Sequence, residues 1–257
     1  MPPILSYYWT SEALASEASE RALQCLVSRD CTLEQRVAAF SELLESGDVA
    51  ARCIAFEQFD RASTQGRFGL AQPFEAHRQR MLEVARAELA AAPVSSSVEG
   101  RHIDAANHAS ALHALARAGT EEDLPRIARV LSQEEGEDVL VAACLAVTDL
   151  LREASTAYPG VAADLRRIAM DPRRADFLQE QAVCALDNDK GPARAEVLVE
   201  IATHGRYPAA GHAARLLALD SPEQYRELLE RLVRQWPENY PAIEVRRLLT
   251  EPRDEDS

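Results

Sequence analysis

Apolar side chains recur three and four residues apart along most of this chain. One pattern reads Leu-x-x-Ile-Ala, at Leu124, Ile127 and Ala128, at Leu165, Ile168 and Ala169, and at Leu198, Ile201 and Ala202. Weaker copies stand at Met81, Val84 and Ala85 and at Leu229, Leu232 and Val233. Such spacing gathers the side chains on one face of a helix. A second pattern follows each copy: an Ala, an adjacent small or apolar residue, and an apolar residue four positions on. It occurs at Ala55, Phe56 and Phe59, at Ala111, Leu112 and Leu115, at Ala146, Val147 and Leu150, at Ala182, Val183 and Leu186, and at Ala213, Ala214 and Leu217. The last four alanines are 35, 36 and 31 residues apart. One amphipathic pair cannot bury its own apolar face, so two patterns alternating at this period predict helix pairs stacked along the chain.

The breaks between periodic stretches fit that unit. Gly47-Asp48, Gly119-Thr120, Asp171-Pro172, Gly205, Ser221-Pro222 and Trp236-Pro237 end one helix or cap the next. They predict a leading helix over 11–28 and pairs over 33–45/48–63, 73–91/102–118, 121–132/137–154, 159–170/174–187, 192–204/207–220 and 222–236/240–250. Ser63–Gln72 and Ala92–Gly100 read as loops, and the interval of 56 from Ala55 to Ala111 makes 61–103 irregular. Residues 1–32 are expected to cap a repeat domain over 33–250, with 251–257 (EPRDEDS) a frayed acidic tail. No stretch alternates apolar and polar residues as a half-buried strand does. The expected class is all-α.

Composition narrows the partners. The net charge is −14, which repels phosphate backbones and disfavours nucleic acid. Lys190 is the only lysine among 28 basic residues. The five cysteines (Cys25, Cys31, Cys53, Cys144 and Cys184) have no CxxC spacing, and Cys144 and Cys184 sit in apolar helical runs as small hydrophobes, so a reducing cytoplasmic setting is expected. The N-terminal residues carry neither a basic n-region nor an apolar h-region, and no apolar run approaches the roughly 18 residues that span a bilayer. No membrane contact is expected.

The pattern resembles the HEAT repeat family. Gly47–Phe59 (GDVAARCIAFEQF) carries the resemblance best, with the family's Asp-Val…Arg-x-x-Ala order at Asp48, Val49, Arg52 and Ala55. The family's Arg joins a ladder with loop aspartates, but the matching later positions are His108, Ala143, Gln179 and Ala210, so the Arg ladder stops after the first unit. The resemblance implies a right-handed alpha-alpha superhelix, a solenoid of about six antiparallel pairs plus an N-terminal helix, with second helices lining its concave side. It implies no single activity.

No catalytic constellation is visible. His108 and His113 stand five residues apart, about 140° around a helix, so they cannot share a metal. His108 falls on the apolar arc with Ala105, Ala109, Leu112 and Leu115 and is expected to be a hydrogen-bonded core residue, while His77, His102, His204 and His212 are scattered. There is no HExxH, no Gly-x-Ser-x-Gly and no Gly-rich phosphate loop, so no metal and no cofactor is expected.

Aligning the second helices supplies the binding candidates. Six residues past the motif Ala stand Arg61, Arg117, Arg152 and Asn188, with Leu219 breaking the series. Two past it stand Glu57, His113, Thr148, Cys184 and Arg215. On the helix at 102–118, Asn107, Ser110, His113 and Arg117 share the face opposite the leucines. The nominated set is Arg61, Asn107, Ser110, His113, Arg117, Thr148, Arg152, Asn188 and Arg215. Pointing inward, the Arg row suits a carboxylate-rich or phosphorylated peptide. Otherwise an Arg in a last turn complements the helix dipole and caps carbonyls. Arg166, Arg167, Arg173 and Arg174 form a local basic patch. Tyr7, Tyr8 and Trp9 are expected to staple the N-terminus onto the first pair, and Trp236 to plug the C-terminal end.

These readings point to a non-enzymatic scaffold or adaptor that binds a protein or peptide, or neutralises a basic partner. Two alternatives follow from other users of HEAT-like folds: a DNA glycosylase-type enzyme, and a helper in cofactor attachment like the phycobilisome lyases. The first needs a cationic groove with aromatic residues, and the charge and the two terminal tryptophans oppose it. The second needs a chromophore pocket that no motif marks.

Overall fold

The computed structural model describes residues 6–65, 74–133 and 136–250, with the side chains of 62–65 outside that description. The expectations for 66–72 and for the tail over 251–257 lie outside the described residues. Among the described residues the chain is all-helical apart from one short hairpin. Its helices are α1 (Glu17–Val27), α2 (Leu33–Leu44), α3 (Val49–Gln65), α4 (Arg78–Glu88), α5 (Ala106–Ala118), α6 (Leu124–Ser132), α7 (Glu137–Glu153), α8 (Pro159–Met170), α9 (Asp176–Leu186), α10 (Arg194–His204), α11 (Ala209–Asp220), α12 (Pro222–Val233) and α13 (Ala242–Thr250).

Local chemistry sets these bounds. The Ser16 side chain accepts from the Ser19 amide to open α1. Thr32 and Gln35 close a reciprocal capping box at α2, with 3.2 Å from the Gln35 amide and 2.8 Å from the Thr32 amide. Pro159 and Pro222 open α8 and α12, where no amide hydrogen is required. Gly119 and Gly205 end α5 and α10 in tight turns; a Cβ at either would stand 2.5 Å from the carbonyl oxygen of Leu115 or Ile201. Cys25 and Cys31 form a disulfide across the turn from α1 to α2, with Cα atoms 5.7 Å apart. The cysteine spacing, read as that of a reducing setting, did not anticipate this bond.

One element departs from the expected loop and helix. Strands β1 (Ser96–Val98) and β2 (Arg101–Ile103) pair antiparallel, Ser96 opposite Ile103 and Val98 opposite Arg101. The two-residue turn between them, Glu99 and Gly100, takes φ of 53° and 79°, as tight hairpins require. Residues 102 and 103, expected to be helical, therefore belong to β2, and left-handed Ala105 (φ 56°) separates it from α5.

The chain divides into two compact units, Met1–Leu150 and Leu151–Ser257. In the first, α1 packs on α2, α2 on α3, α3 on α5 and α4 on α5. In the second, α8 packs on α9, α10 on α11 and α12 on α13; α8 also meets α10, α9 meets α11, and α11 meets α13. Both sequence patterns are core. Leu124, Ile127, Leu165, Ile168, Leu198 and Ile201 are buried, as are Ala55, Ala111, Ala146, Ala182 and Ala213 with their apolar partners. Each buried leucine-sized side chain contributes about 1.5–3 kcal/mol. Among the described residues, no helix is long and apolar enough to cross a membrane.

Candidate functional site

In the first unit Arg61 of α3 and Ser110, His113 and Arg117 of α5 converge under the N-terminal segment. Glu57 of α3 is fully buried. Its Oε2 accepts from the Ser6 hydroxyl and the Tyr7 amide, and its Oε1 accepts from the Ser110 hydroxyl at 2.7 Å. Both serine oxygens accept as well as donate. Ser6 Oγ accepts from the amides of Tyr8 (3.2 Å) and Trp9 (2.7 Å), and Ser110 Oγ accepts from the Trp9 indole at 3.2 Å. Every donor in this network thus drains toward one carboxyl group.

One helical turn on, the Tyr7 hydroxyl donates to Asp60 Oδ2 at 3.1 Å while Arg117 Nε donates to Oδ1 at 2.7 Å. Arg117 also reaches Asp149 of α7 at 3.2 Å. The Arg61 guanidinium lies 4.5 Å from the centre of the Tyr7 ring, a cation–π contact. The Tyr8 hydroxyl and His113 Nε2 are 3.0 Å apart, and the His113 ring packs on Tyr7 at 5.1 Å. Tyr8 and Trp9 are buried, so this face is covered by the chain itself. The aromatic segment does staple the N-terminus, but onto α3 and α5 rather than onto α2 and α3.

Burial sets the electrostatics. Desolvation pushes Glu57 up to about 7, against the Ser6, Ser110 and Tyr7 donors and the Arg61 charge. Desolvation pushes His113 below the usual imidazole value; the Arg117 charge adds to this and Asp60 opposes it. Burial likewise raises Tyr8, helped by the Glu57 charge. The arrangement holds the Glu57 carboxyl out of water beneath Ser6–Trp9, with the His113 ring largely buried beside it.

The other nominated residues serve locally or lie in the second unit. Asn107 accepts from the Val94 amide at 2.9 Å and donates to Ala92 O at 3.2 Å, so it fixes the loop before β1. Thr148 donates to Cys144 O at 2.9 Å within α7. Arg152 is exposed and Asn188 half-buried, and both belong to the second unit with Arg215. Arg215 faces Glu244 of α13 at 3.6 Å. Of the basic patch, Arg166 pairs with Glu200 at 2.6 Å, and Arg173 binds Asp171 through both carboxylate oxygens at 3.0 Å. Trp236 is half-buried against Tyr207, ring centres 5.8 Å apart.

Around Arg215 the second unit carries a surface that no motif marked. Phe177 of α9, Tyr240 before α13 and Ile243 of α13 are 59%, 57% and 53% exposed. Phe177 and Glu180 stand three apart on α9, hence on one face. Glu180 meets His212 of α11 at 3.3 Å, and the His212 ring meets Tyr240 edge-on at 5.2 Å. Burial raises Glu180 and lowers His212, so both are drawn toward their neutral forms. A separate open groove of about 630 Å³ lies on α10 and α12 and includes Glu196, Val199 and Tyr225.

Glu57, Asp60 and Ser6 were not nominated. Glu57 shared the register of His113, and its only sequence signal was an acidic residue amid the apolar run CIAF-E-QF. No protein-family model, no curated protein and no solved structure matches this chain.

Proposed function

We propose that this chain is a helical-repeat binding module that acts by holding a protein partner and not by catalysis. The partner sits on the second helices α9, α11 and α13, over Phe177, Tyr240 and Ile243. The exposure of these three side chains carries the reading, because large apolar residues elsewhere in the chain are mostly buried. A polar rim of Glu180, Arg215 and Glu244 surrounds them, the arrangement of an apolar centre with charged edges typical of interfaces. With a net charge of −14, the favoured partner carries basic residues around an apolar segment.

The repeat reading is supported by side chains that bridge elements one period apart. Arg52 reaches Glu88, Arg80 Glu45, Arg86 Asp123, Arg117 Asp149 and Arg166 Glu200, at separations of 32 to 37 residues. In a stack of pairs, equivalent positions of neighbouring units are close, so this spacing is the one expected. The contacts of α8 with α10, of α9 with α11 and of α11 with α13 follow the same rule.

Photo-crosslinking tests the surface. With p-benzoylphenylalanine in place of Phe177, or of Ile243, one and the same partner protein is expected to be labelled in cells. Placed at Glu196 in the α10 groove, the probe is expected to leave that partner unlabelled. Equal labelling from all three sites, or none from Phe177 and Ile243, overturns the reading.

A further inference from the structure

Ser6–Trp9 meets the first unit as a ligand meets a receptor. Among the described residues, no backbone–backbone hydrogen bond ties it to the helices, and it belongs to no helix or strand. Its attachments are side-chain anchors: a serine and an amide on Glu57, a tyrosine on Asp60, a tyrosine on His113, and an indole on Ser110. Tyr and Trp on one side with Arg on the other is the composition that dominates binding hot spots, not helical cores. The core of this chain is built from Leu, Ile and Ala. The receptor groups all come from α3 and α5, which pack on each other without the segment.

Charge burial makes the same point. Glu57 and His113 are cut off from water by the segment, and burial shifts each toward its neutral form. An element serving only as core would be cheaper over apolar residues, since an ionisable group loses hydration on burial. A polar seat with matched donors and acceptors is suited to recognition, where leaving any group unpaired rejects the wrong sequence.

We propose that the α3–α5 face is a binding site for a hydroxyl-bearing aromatic peptide, and that Ser6–Trp9 is the occupant it holds in cis. The segment belongs to no helix or strand, so its release breaks neither. This site lies in the first unit and stands independently of the surface on α9, α11 and α13.

The probe is a fluorescent acetylated peptide of residues 6–10 (SYYWT), titrated into the full chain and followed by anisotropy. In the wild type the tethered segment competes at an effective concentration on the order of millimolar, so binding in trans is weak. The full-length Tyr8→Ala/Trp9→Ala variant weakens the tethered occupant and is expected to bind the peptide at least about tenfold more tightly. Adding Ser110→Ala to that variant is expected to reverse the gain. A folded double variant that binds no peptide, or binds it no better than wild type, overturns the proposal.

Amide exchange on the wild-type chain decides the matter should the double variant fail to fold. Opening of the segment alone is expected to let the Tyr7, Tyr8 and Trp9 amides exchange at least about 100-fold faster than those of Ala55 and Phe56 in α3. Exchange of all five together, only through global unfolding, overturns the proposal.

Discussion

Glu57 and His113 pull the pH response of the first unit in opposite directions. The Glu57 carboxyl stands near 7 in the folded chain against an ordinary 4.5. Its contribution is therefore fullest below about 4.5 and is lost as pH rises through 7, a swing on the order of 3 kcal/mol. His113 is depressed below its ordinary 6.5, so its contribution is full above that value and is lost as pH falls through its lowered pKa. Where the windows overlap, the two slopes offset each other. Urea unfolding followed by Trp9 fluorescence in a Trp236→Phe background is expected to give a shallow profile between about pH 5 and 6.5. Glu57→Gln should unmask stability that rises with pH, and His113→Gln stability that falls with it. Retention of the wild-type profile by both variants would show that neither group titrates with folding. A second carboxylate behaves as a structural anchor. Asp123 is buried at the start of α6, yet its pKa is lowered, because two bonds from Arg86 (2.8 and 2.9 Å), the Thr120 amide and the Arg126 charge outweigh desolvation. Asp123→Asn is expected to cost about 2–4 kcal/mol in urea unfolding at neutral pH, since it strands half-exposed arginines on a buried amide. A loss below about 0.5 kcal/mol, the range of ordinary surface changes, would contradict that role.

At the scale of elements, the position that Arg52 occupies shows how the end of a preceding helix is satisfied by different side chains. Arg52 donates to Ser46 O, just past the end of α2. At the matching positions, His108 meets Ala91 O at 3.1 Å, past the end of α4, and Gln179 donates to Asp171 O at 2.5 Å, at the end of α8. Three residue types are thus interchangeable here, because in each case a second-helix side chain satisfies a carbonyl that the preceding helix leaves open. Gln179→Ala is expected to lower stability by about 1–2 kcal/mol, and Gln179→Glu by more, because a carboxylate cannot donate to that carbonyl. Equal stability of all three forms by thermal unfolding would remove the role. The helices themselves were legible because periodicity is local: each boundary from α6 to α13 falls within a few residues of its expected place, and the motif leucines and all the motif alanines but Ala128 are core. The hairpin over 96–103 was not legible, since its pairing depends on left-handed Glu99 and Gly100 rather than on alternation. The cluster around Glu57 was legible only in part. Ser110, His113 and Arg117 stood out by register, but their partners Glu57, Trp9, Tyr8 and Asp60 lie 53 to 105 residues distant in sequence, which no local pattern encodes.

For the whole molecule, charge and apolar exposure act on different steps of association. The 42 acidic residues against 28 basic ones create a long-range negative field, which would accelerate approach of the basic partner proposed above and is screened within a Debye length of about 8 Å at physiological salt. The proposed contact over the exposed Phe177, Tyr240 and Ile243 would be apolar, and such contacts are short-range and insensitive to salt. Surface plasmon resonance with the partner identified by crosslinking separates the two. Raising salt from 50 to 500 mM is expected to slow association by about tenfold or more while leaving dissociation nearly constant. Phe177→Ser combined with Ile243→Ser is expected to do the reverse, speeding dissociation by about tenfold or more with association little changed, because lost burial is felt only in the docked state. Dissociation unaffected by the paired serines would move the interface off α9 and α13, whereas association unaffected by salt would leave the acidic field without a part in recognition.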